Sequence, residues 1–234
     1  RSTRKESSAA SDVYKRQIKN GEELWSFQTE SALIRSQKKL SMVIVDDVIY
    51  FNNSLGDISA VQTNDGELLW QLPTQSDLLY ESAFSLETSD IVTDKKDLFF
   101  SNNKNEFFSI DARTGTVKWA QSINSSLRPT IIENLIFTVS NEGYLFIIDD
   151  PTGNIIRITD VLKNFKDKLE IKPIGFIHAK NKVYVSLSNG RLVTINSSTG
   201  IQEDVTKINN SKIQLPLIWG FGAVSYTHLR AHET

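Results

Sequence analysis

The sequence predicts an all-β protein: a β-propeller fragment with about four complete four-stranded blades and a partial blade at each end. Three regularities predict it. Turn glycines recur at intervals of 45, 49, 38 and 47 residues, at Gly21, Gly66, Gly115, Gly153 and Gly200. A second turn residue lies ten residues before each of the last four, at Gly56, Asn105, Gly143 and Gly190. Tryptophan follows each of the first three glycines by four residues, at Trp25, Trp70 and Trp119. A period of about 40–50 residues built from short strands is typical of propeller blades.

The stretch 97–119 shows how one repeat is built. Its β-favouring runs, 98–100 and 107–110, are separated by an Asn-rich turn, and Asn tolerates a positive φ. A second turn at 111–115 leads into a last strand that ends at Trp119. Each strand is too short to bury a face alone, so the unit needs neighbours on both sides.

The remaining elements follow in chain order from the same signals. Residues 21–27 form the last strand of a partial blade, and residues 215–219 begin another blade. The complete blades are predicted at residues 41–72, 90–121, 129–159 and 174–206. Only the insert between the third and fourth blades, at 161–168, favours a helical turn.

Both ends of the chain are expected to lie outside the fold. Residues 1–17 and 223–234 resemble translated sequencing-library adapters, each at the end where such a sequence would stand. We therefore predict a partial propeller domain at 18–222, open at both ends, between two non-native tails.

Composition excludes several classes of protein. Without the two tails, 20 Lys and Arg stand against 25 Asp and Glu, a net charge of −5, and no basic run is present. This balance argues against nucleic acid as a partner. The absence of cysteine excludes a disulfide framework and thiolate metal sites. No apolar run approaches the ~20 residues that a membrane span needs.

No catalytic, cofactor-binding or metal-binding residue is predicted. The recurring tryptophans suggest a stack for a planar cofactor, but a Trp at a fixed place in each repeat favours an inter-blade contact. The paired acids 46–47, 149–150 and 203–204 stand at turns or strand ends, where Asp commonly caps backbone N–H groups. His178 has no second histidine nearby in the sequence with which to share a metal.

The repeat resembles that of quinoprotein-like propellers, Ala-x-Asp-x-x-Thr-Gly-x-x-x-Trp. Residues 110–119 match it almost throughout, and residues 60–70 keep the Ala, Gly and Trp but have Gln62 in place of Asp. The third and fourth repeats keep the turn, with Arg157 and Asp204 where the Trp would stand. This resemblance implies the propeller fold.

Within that group, the chain most resembles the propeller lipoproteins of the bacterial outer-membrane β-barrel assembly machinery, the BamB type. The turns Asn141–Leu145 and Ser188–Leu192 carry this likeness. It implies a non-catalytic periplasmic scaffold, associated with the outer membrane and without a cofactor. Its inter-blade loops would contact other proteins, among them the barrel-assembly subunit.

Two alternatives remain open from the sequence. One is a fragment of a pyrroloquinoline-quinone (PQQ) dehydrogenase, and the other is the propeller sensor domain of a membrane receptor kinase. The first class typically carries an adjacent cysteine pair, which this chain lacks.

Overall fold

The computed structural model describes residues 12–17, 20–28, 41–52, 57–74, 88–102, 105–208, 218–220 and 223–225. These residues form antiparallel strands with one 3-10 helix, arranged as four sheets of four strands and two hairpins. The predicted all-β class and four-stranded propeller blades are confirmed. The chain divides into two compact units, residues 1–123 and 124–234.

The first unit contains a hairpin and two blades. The hairpin pairs β1 (Asp12–Arg16) with β2 (Glu23–Gln28). Blade 1 comprises β3 (Met42–Val45), β4 (Val48–Asn52), β5 (Ile58–Gln62) and β6 (Leu68–Leu72). Blade 2 comprises β7 (Val92–Thr93), β8 (Asp97–Ser101), β9 (Phe107–Asp111) and β10 (Val117–Gln121). Each blade is a simple meander in which consecutive strands pair.

The second unit repeats this plan. Blade 3 comprises β11 (Thr130–Ile132), β12 (Leu135–Val139), β13 (Tyr144–Asp149) and β14 (Ile155–Asp160). Blade 4 comprises β15 (Pro173–Ala179), β16 (Lys182–Leu187), β17 (Arg191–Asn196) and β18 (Gln202–Lys207). A final hairpin pairs β19 (Ile218–Gly220) with β20 (Ala223–Ser225).

The apolar cores lie between neighbouring blades within each unit. One buried cluster joins residues of blade 1, such as Ile58 and Ala60, to residues of blade 2, such as Leu98 and Phe100. A second cluster joins blades 3 and 4. A single short-stranded sheet cannot bury both of its faces, so the blades stabilise one another.

One hydrogen bond recurs in every complete blade and joins its two hairpin turns. The amide after strand three donates to a carbonyl between strands one and two, as Thr63 N does to Asp47 O and Ala112 N to Lys96 O, both at 2.8 Å. The residue before that carbonyl has a positive φ in all four blades: Asp46, Lys95, Glu133 and Lys180. Both turns therefore lie at the same end of each blade.

A β-bulge in the outermost strand also recurs, and the sequence analysis did not predict it. The register shifts three residues after each turn glycine, for example between Leu68 and Trp70, where Leu69 is the extra residue. The same shift occurs in the other three blades and in the first hairpin. A bulge bends its strand and re-aims one side chain.

Two details differ from the sequence-based expectation. Strand β1 lies in the segment assigned to a tail, yet it pairs with β2 in the register that strand three has in a blade, Lys15 opposite Trp25. The helical turn of the insert lies at Lys168–Glu170, later than the 161–168 predicted. That the two tails are non-native stays a prediction.

Candidate functional site

The turn glycines and the tryptophans meet between neighbouring blades. Trp70 Nε1 donates to Ala112 O of blade 2 at 2.9 Å, and Trp25 Nε1 donates to Thr63 O of blade 1 at the same distance. Each indole lies against the turn glycine of the blade it contacts. A Cβ on Gly115 would come within 2.7 Å of the Trp70 ring, and one on Gly66 within 2.8 Å of Trp25. These contacts are structural and leave no room for a planar cofactor against Gly66 or Gly115.

Arg157 makes the same contact in blade 3 without an indole. Its guanidinium donates to Ser197 O at 3.2 Å and to Ser198 O of blade 4, and a Cβ on Gly200 would lie 2.5 Å from its side chain. Ser197 stands three residues before its glycine, as Ala112 and Thr63 do before theirs. The lack of a tryptophan in the third repeat therefore does not remove the inter-blade contact.

The remaining repeat positions have the backbone that their turns require. Gly21, Gly153 and Gly200 have φ between 71° and 73°, and Asn105, Gly143 and Gly190 are also positive in φ. Gly143 is further constrained because a Cβ there would meet Leu162 at 2.6 Å. Trp119 packs inside its own blade against Phe99 and Phe107, with ring centroids 6.1 Å apart in both pairs. Gly56 lies outside the described residues.

A fourth repeat position escaped the sequence analysis. The third residue of the second strand is aromatic in every blade: Tyr50, Phe99, Phe137 and Tyr184. In blades 1 and 2 it packs against the tryptophan of the outer strand, with Tyr50 and Trp70 centred 5.8 Å apart. The signal was present fifteen or sixteen residues before each turn glycine, a spacing that varies with the connecting turn.

The paired acids do not assemble into a reactive group. Asp149 caps its turn by accepting from Thr152 N, and Glu203 forms an ion pair with Lys182 at 2.7 Å. That contact lowers the pKa of Glu203 and raises the pKa of Lys182. Among the described residues, no group of three or more His, Asp and Glu side chains is placed to hold a metal ion.

His178 is a core-facing residue on β15. Its ring lies 4.9 Å from that of Phe137, and burial lowers the pKa of its imidazole. The neutral ring is therefore the form that the fold favours. No feature around it resembles a catalytic base with a substrate site.

A cleft of about 530 Å³ opens between blades 1 and 2, at the end of the blades that carries the hairpin turns. Blade 1 contributes apolar residues, Tyr50 and Asp46 to its wall. Blade 2 contributes two turns that carry Lys95, Lys96 and Arg113. Clefts of this volume are typical of small-ligand sites.

One corner of this cleft is closed by an ion pair whose position carries different chemistry in each blade. Lys118, the bulge residue of β10, donates to Asp97 at the start of β8, at 2.5 Å. In blade 4 the same two positions hold Glu203 and Lys182, the reversed pair. In blade 1 they hold Leu69 and Val48, which both line the cleft. The bulge residue and the first residue of strand two thus behave as a matched pair.

A surface feature of a different kind lies in the insert between blades 3 and 4. Val161 and Leu162 are buried against the core, and Phe165 packs beside them. Leu169, in the 3-10 helix, is 98% exposed. An apolar side chain held this far into solvent on an anchored loop is a candidate protein contact.

The structure thus defines the class of protein: a propeller with quinoprotein-like repeats, whose blades interlock through a Trp or Arg on a turn glycine. Its family follows from comparison with known proteins. The family model described as outer membrane protein assembly factor BamB matches residues 6–159, more than half of the chain. The chain belongs to this family.

Individual relatives are distant. The outer membrane protein assembly factor BamB of Shewanella oneidensis is 23% identical over 67% of this chain and 36% of that protein. The crystal structure of BamB from Moraxella catarrhalis superposes with a TM-score of 0.64 at 16% identity, over 86% of this chain and 59% of that one. A quinohemoprotein alcohol dehydrogenase from Comamonas testosteroni gives a TM-score of 0.56 at 17% identity, over 78% of this chain and 38% of that one.

These likenesses carry the fold and the family. The chain spans about half or less of the curated relatives it matches. Across the described ranges, no helix has the length and apolarity to cross a membrane.

Proposed function

We propose that the chain is part of a non-catalytic propeller scaffold of outer-membrane protein assembly, located in the periplasm and contacting other proteins through its inter-blade loops. Membership of the BamB family supports this function. The observation that carries it is the exposed Leu169 on the insert between blades 3 and 4. The partner we propose is the barrel-assembly subunit.

The insert is built to hold its tip in place. Val161 N donates to Gly143 O at 2.9 Å, and Leu162 N donates to Asp160 Oδ1 at 2.8 Å. Lys168 forms an ion pair with Asp160 at 2.7 Å, which joins the 3-10 helix to the end of β14. A pre-organised loop loses less conformational entropy on binding than a flexible one.

The charges around the tip indicate the chemistry of the partner. Lys163, Lys166 and Lys172 are exposed on the same insert, whereas Asp160 is already paired with Lys168. An apolar anchor surrounded by cations fits an apolar pocket with an acidic rim, because complementary rims guide association while the anchor supplies affinity.

A binding measurement with the purified barrel-assembly subunit tests the proposal. Leu169→Ala should weaken the interaction by about tenfold or more, as expected for a central apolar anchor. Ile201→Ala is the matched control, because Ile201 is a 60% exposed aliphatic residue of the same unit outside the insert. Equal binding by both variants, or no binding by the parent chain, would contradict the proposal.

The structural likeness to an alcohol dehydrogenase supports a second candidate, a fragment of a quinone-dependent enzyme. Incubation with PQQ and calcium separates the two. The scaffold predicts no bound chromophore and no dye-linked oxidation of alcohols. Stoichiometric binding of the quinone would favour the enzyme.

A further inference from the structure

The cleft between blades 1 and 2 has one acidic wall and one basic wall. Asp46 stands on the turn of blade 1, and Lys95 and Lys96 stand on the matching turn of blade 2. Lys118 is neutralised by Asp97, and the carboxylate of Asp111 accepts two hydrogen bonds from Thr114. The charges left to face a ligand are therefore separated, with cations on one side and a carboxylate on the other.

The basic turn is fixed in position. Asp94 Oδ1 accepts from the amides of Lys96 and Asp97 at 2.8 and 2.7 Å, and Lys96 O accepts from Ala112 N. Lys95 has a φ of 85°, which is unusual for a residue with a side chain. Neither lysine side chain forms an ion pair within the described residues. Two adjacent lysines on a tight turn repel each other, and a bound anion would relieve this.

A buried hydroxyl provides the second observation. Tyr50 lines the cleft and is 4% exposed, and its hydroxyl makes no hydrogen bond within the described part of the chain. Burial, and then the nearby carboxylates of Asp111 and Asp46, raise its pKa, so the hydroxyl stays protonated. An enclosed hydroxyl without a partner is unfavourable, and a ligand acceptor would satisfy it.

We propose that this cleft binds a short extended peptide segment in which an acidic side chain stands beside a basic one. The acidic side chain pairs with Lys95 and Lys96, and the basic side chain pairs with Asp46. A peptide carbonyl accepts from the hydroxyl of Tyr50. The aliphatic stems of the two ligand side chains pack on Val48 and Leu69, the apolar part of the wall.

This site is separate from the insert that carries the proposed function. It lies in the first unit, and Leu169 lies in the second. A failure at one site therefore leaves the other unaffected, and the two can be tested in the same protein.

The test is an NMR titration of the full-length, 15N-labelled chain with the tetrapeptide Gly-Glu-Lys-Gly, blocked at both ends. Saturable shifts of the amides of residues 94–97 and 111–114 are expected. Replacing the peptide's Glu or its Lys by Gln should weaken binding several-fold, since each removes one charge-assisted contact. Free lysine should bind more weakly than the peptide. Equal saturation by free lysine would overturn the peptide assignment, and no saturable shift would overturn the site.

Variants locate the contact. Lys95→Gln/Lys96→Gln should weaken binding by about tenfold or more, because both cations of the basic turn are lost. Lys163→Gln/Lys166→Gln makes the same change of charge in the second unit and should leave binding unchanged. Tyr50→Phe should weaken binding several-fold and still fold, since Phe99 and Phe137 occupy the same register position. Its control is Tyr184→Phe, at that position in blade 4. Equal effects of variants and controls would overturn the proposal.

Discussion

At the scale of single residues, the turn glycines do two things at once. Gly115 needs a positive φ, as Gly21 does, with values of 72° and 71°. Only Gly115 also accepts an aromatic ring against its α-carbon, because a Cβ on Gly21 would meet nothing within 4 Å. The pair therefore separates backbone strain from inter-blade packing.

Substituting these two glycines measures the packing part. Gly21→Ala should destabilise by about 1–2 kcal/mol, the strain of an L-residue in the left-handed region. Gly115→Ala should lose about 1–3 kcal/mol more, because the Trp70 indole must move. Urea unfolding of both variants provides the comparison. Equal losses would mean that the indole contact contributes nothing to stability.

His178 should make stability depend on pH near neutrality. Its pKa in the folded protein lies below the usual 6.5, so the unfolded chain takes up a proton first as the pH falls. The stability that the neutral ring contributes is complete above pH 6.5 and is lost below it. The acids Asp111 and Glu203 have lowered pKa values, so their contribution is lost only in more acidic solution.

The prediction is a fall in melting temperature between about pH 7.5 and about pH 5.5, the range in which histidine titrates. His178→Gln should remove most of this fall while leaving the acid transition at lower pH unchanged. Identical pH profiles for the two proteins would show that His178 is not the titrating group.

At the scale of the blade, the sequence predicted what depends on local chemistry. The turn glycines, the strand order and most strand limits were readable because φ > 0 and alternating burial leave marks on residue type. The bulge of the outer strand was not readable, since it is a register shift without its own residue signature. Arg157 was missed because a guanidinium and an indole share little sequence likeness, although both donate to the same carbonyl.

The candidate site was less accessible from sequence. The cleft combines turns that are some fifty residues apart, and Lys95 and Asp46 became neighbours only through the packing of two blades. Leu169 reads as one more apolar residue in a helical turn, and only its 98% exposure separates it from Leu162 in the same insert. Burial is a tertiary property that a single short insert does not encode.

The matched pair of blade 2 predicts how its ion pair contributes. Asp97 is 5% exposed, so removing its partner by Lys118→Leu leaves a nearly buried carboxylate and should destabilise by about 1–3 kcal/mol. The double variant Asp97→Val/Lys118→Leu installs the apolar residues of blade 1 and should recover most or all of that loss. Chemical unfolding of both variants measures the recovery. A double variant as unstable as the single one would show that these positions are not coupled.

At the scale of the whole molecule, the ends of the chain decide how many strand edges are exposed. Strand β1 covers one edge of β2, and Lys15 Nζ donates to Thr63 O of blade 1 at 3.0 Å. The segment was assigned to a tail because Lys15 and Arg16 break the apolar pattern of a third strand. Backbone pairing does not need that pattern, and the buried face of this hairpin is supplied by Trp25, which is 9% exposed.

Deleting residues 1–17 should therefore have two effects, although the likeness to an adapter alone would predict none. The melting temperature should fall, because five ladder pairs and the Lys15 contact are lost. The uncovered edge of β2 should also recruit a second copy, since unpaired strand edges pair readily with other chains. Deleting residues 226–234, which leaves every described strand intact, is the control and should change neither property. Differential scanning calorimetry measures the first effect and sedimentation velocity the second. An unchanged melting temperature with a monomeric sedimentation coefficient after removal of residues 1–17 would show that β1 does not contribute to the fold.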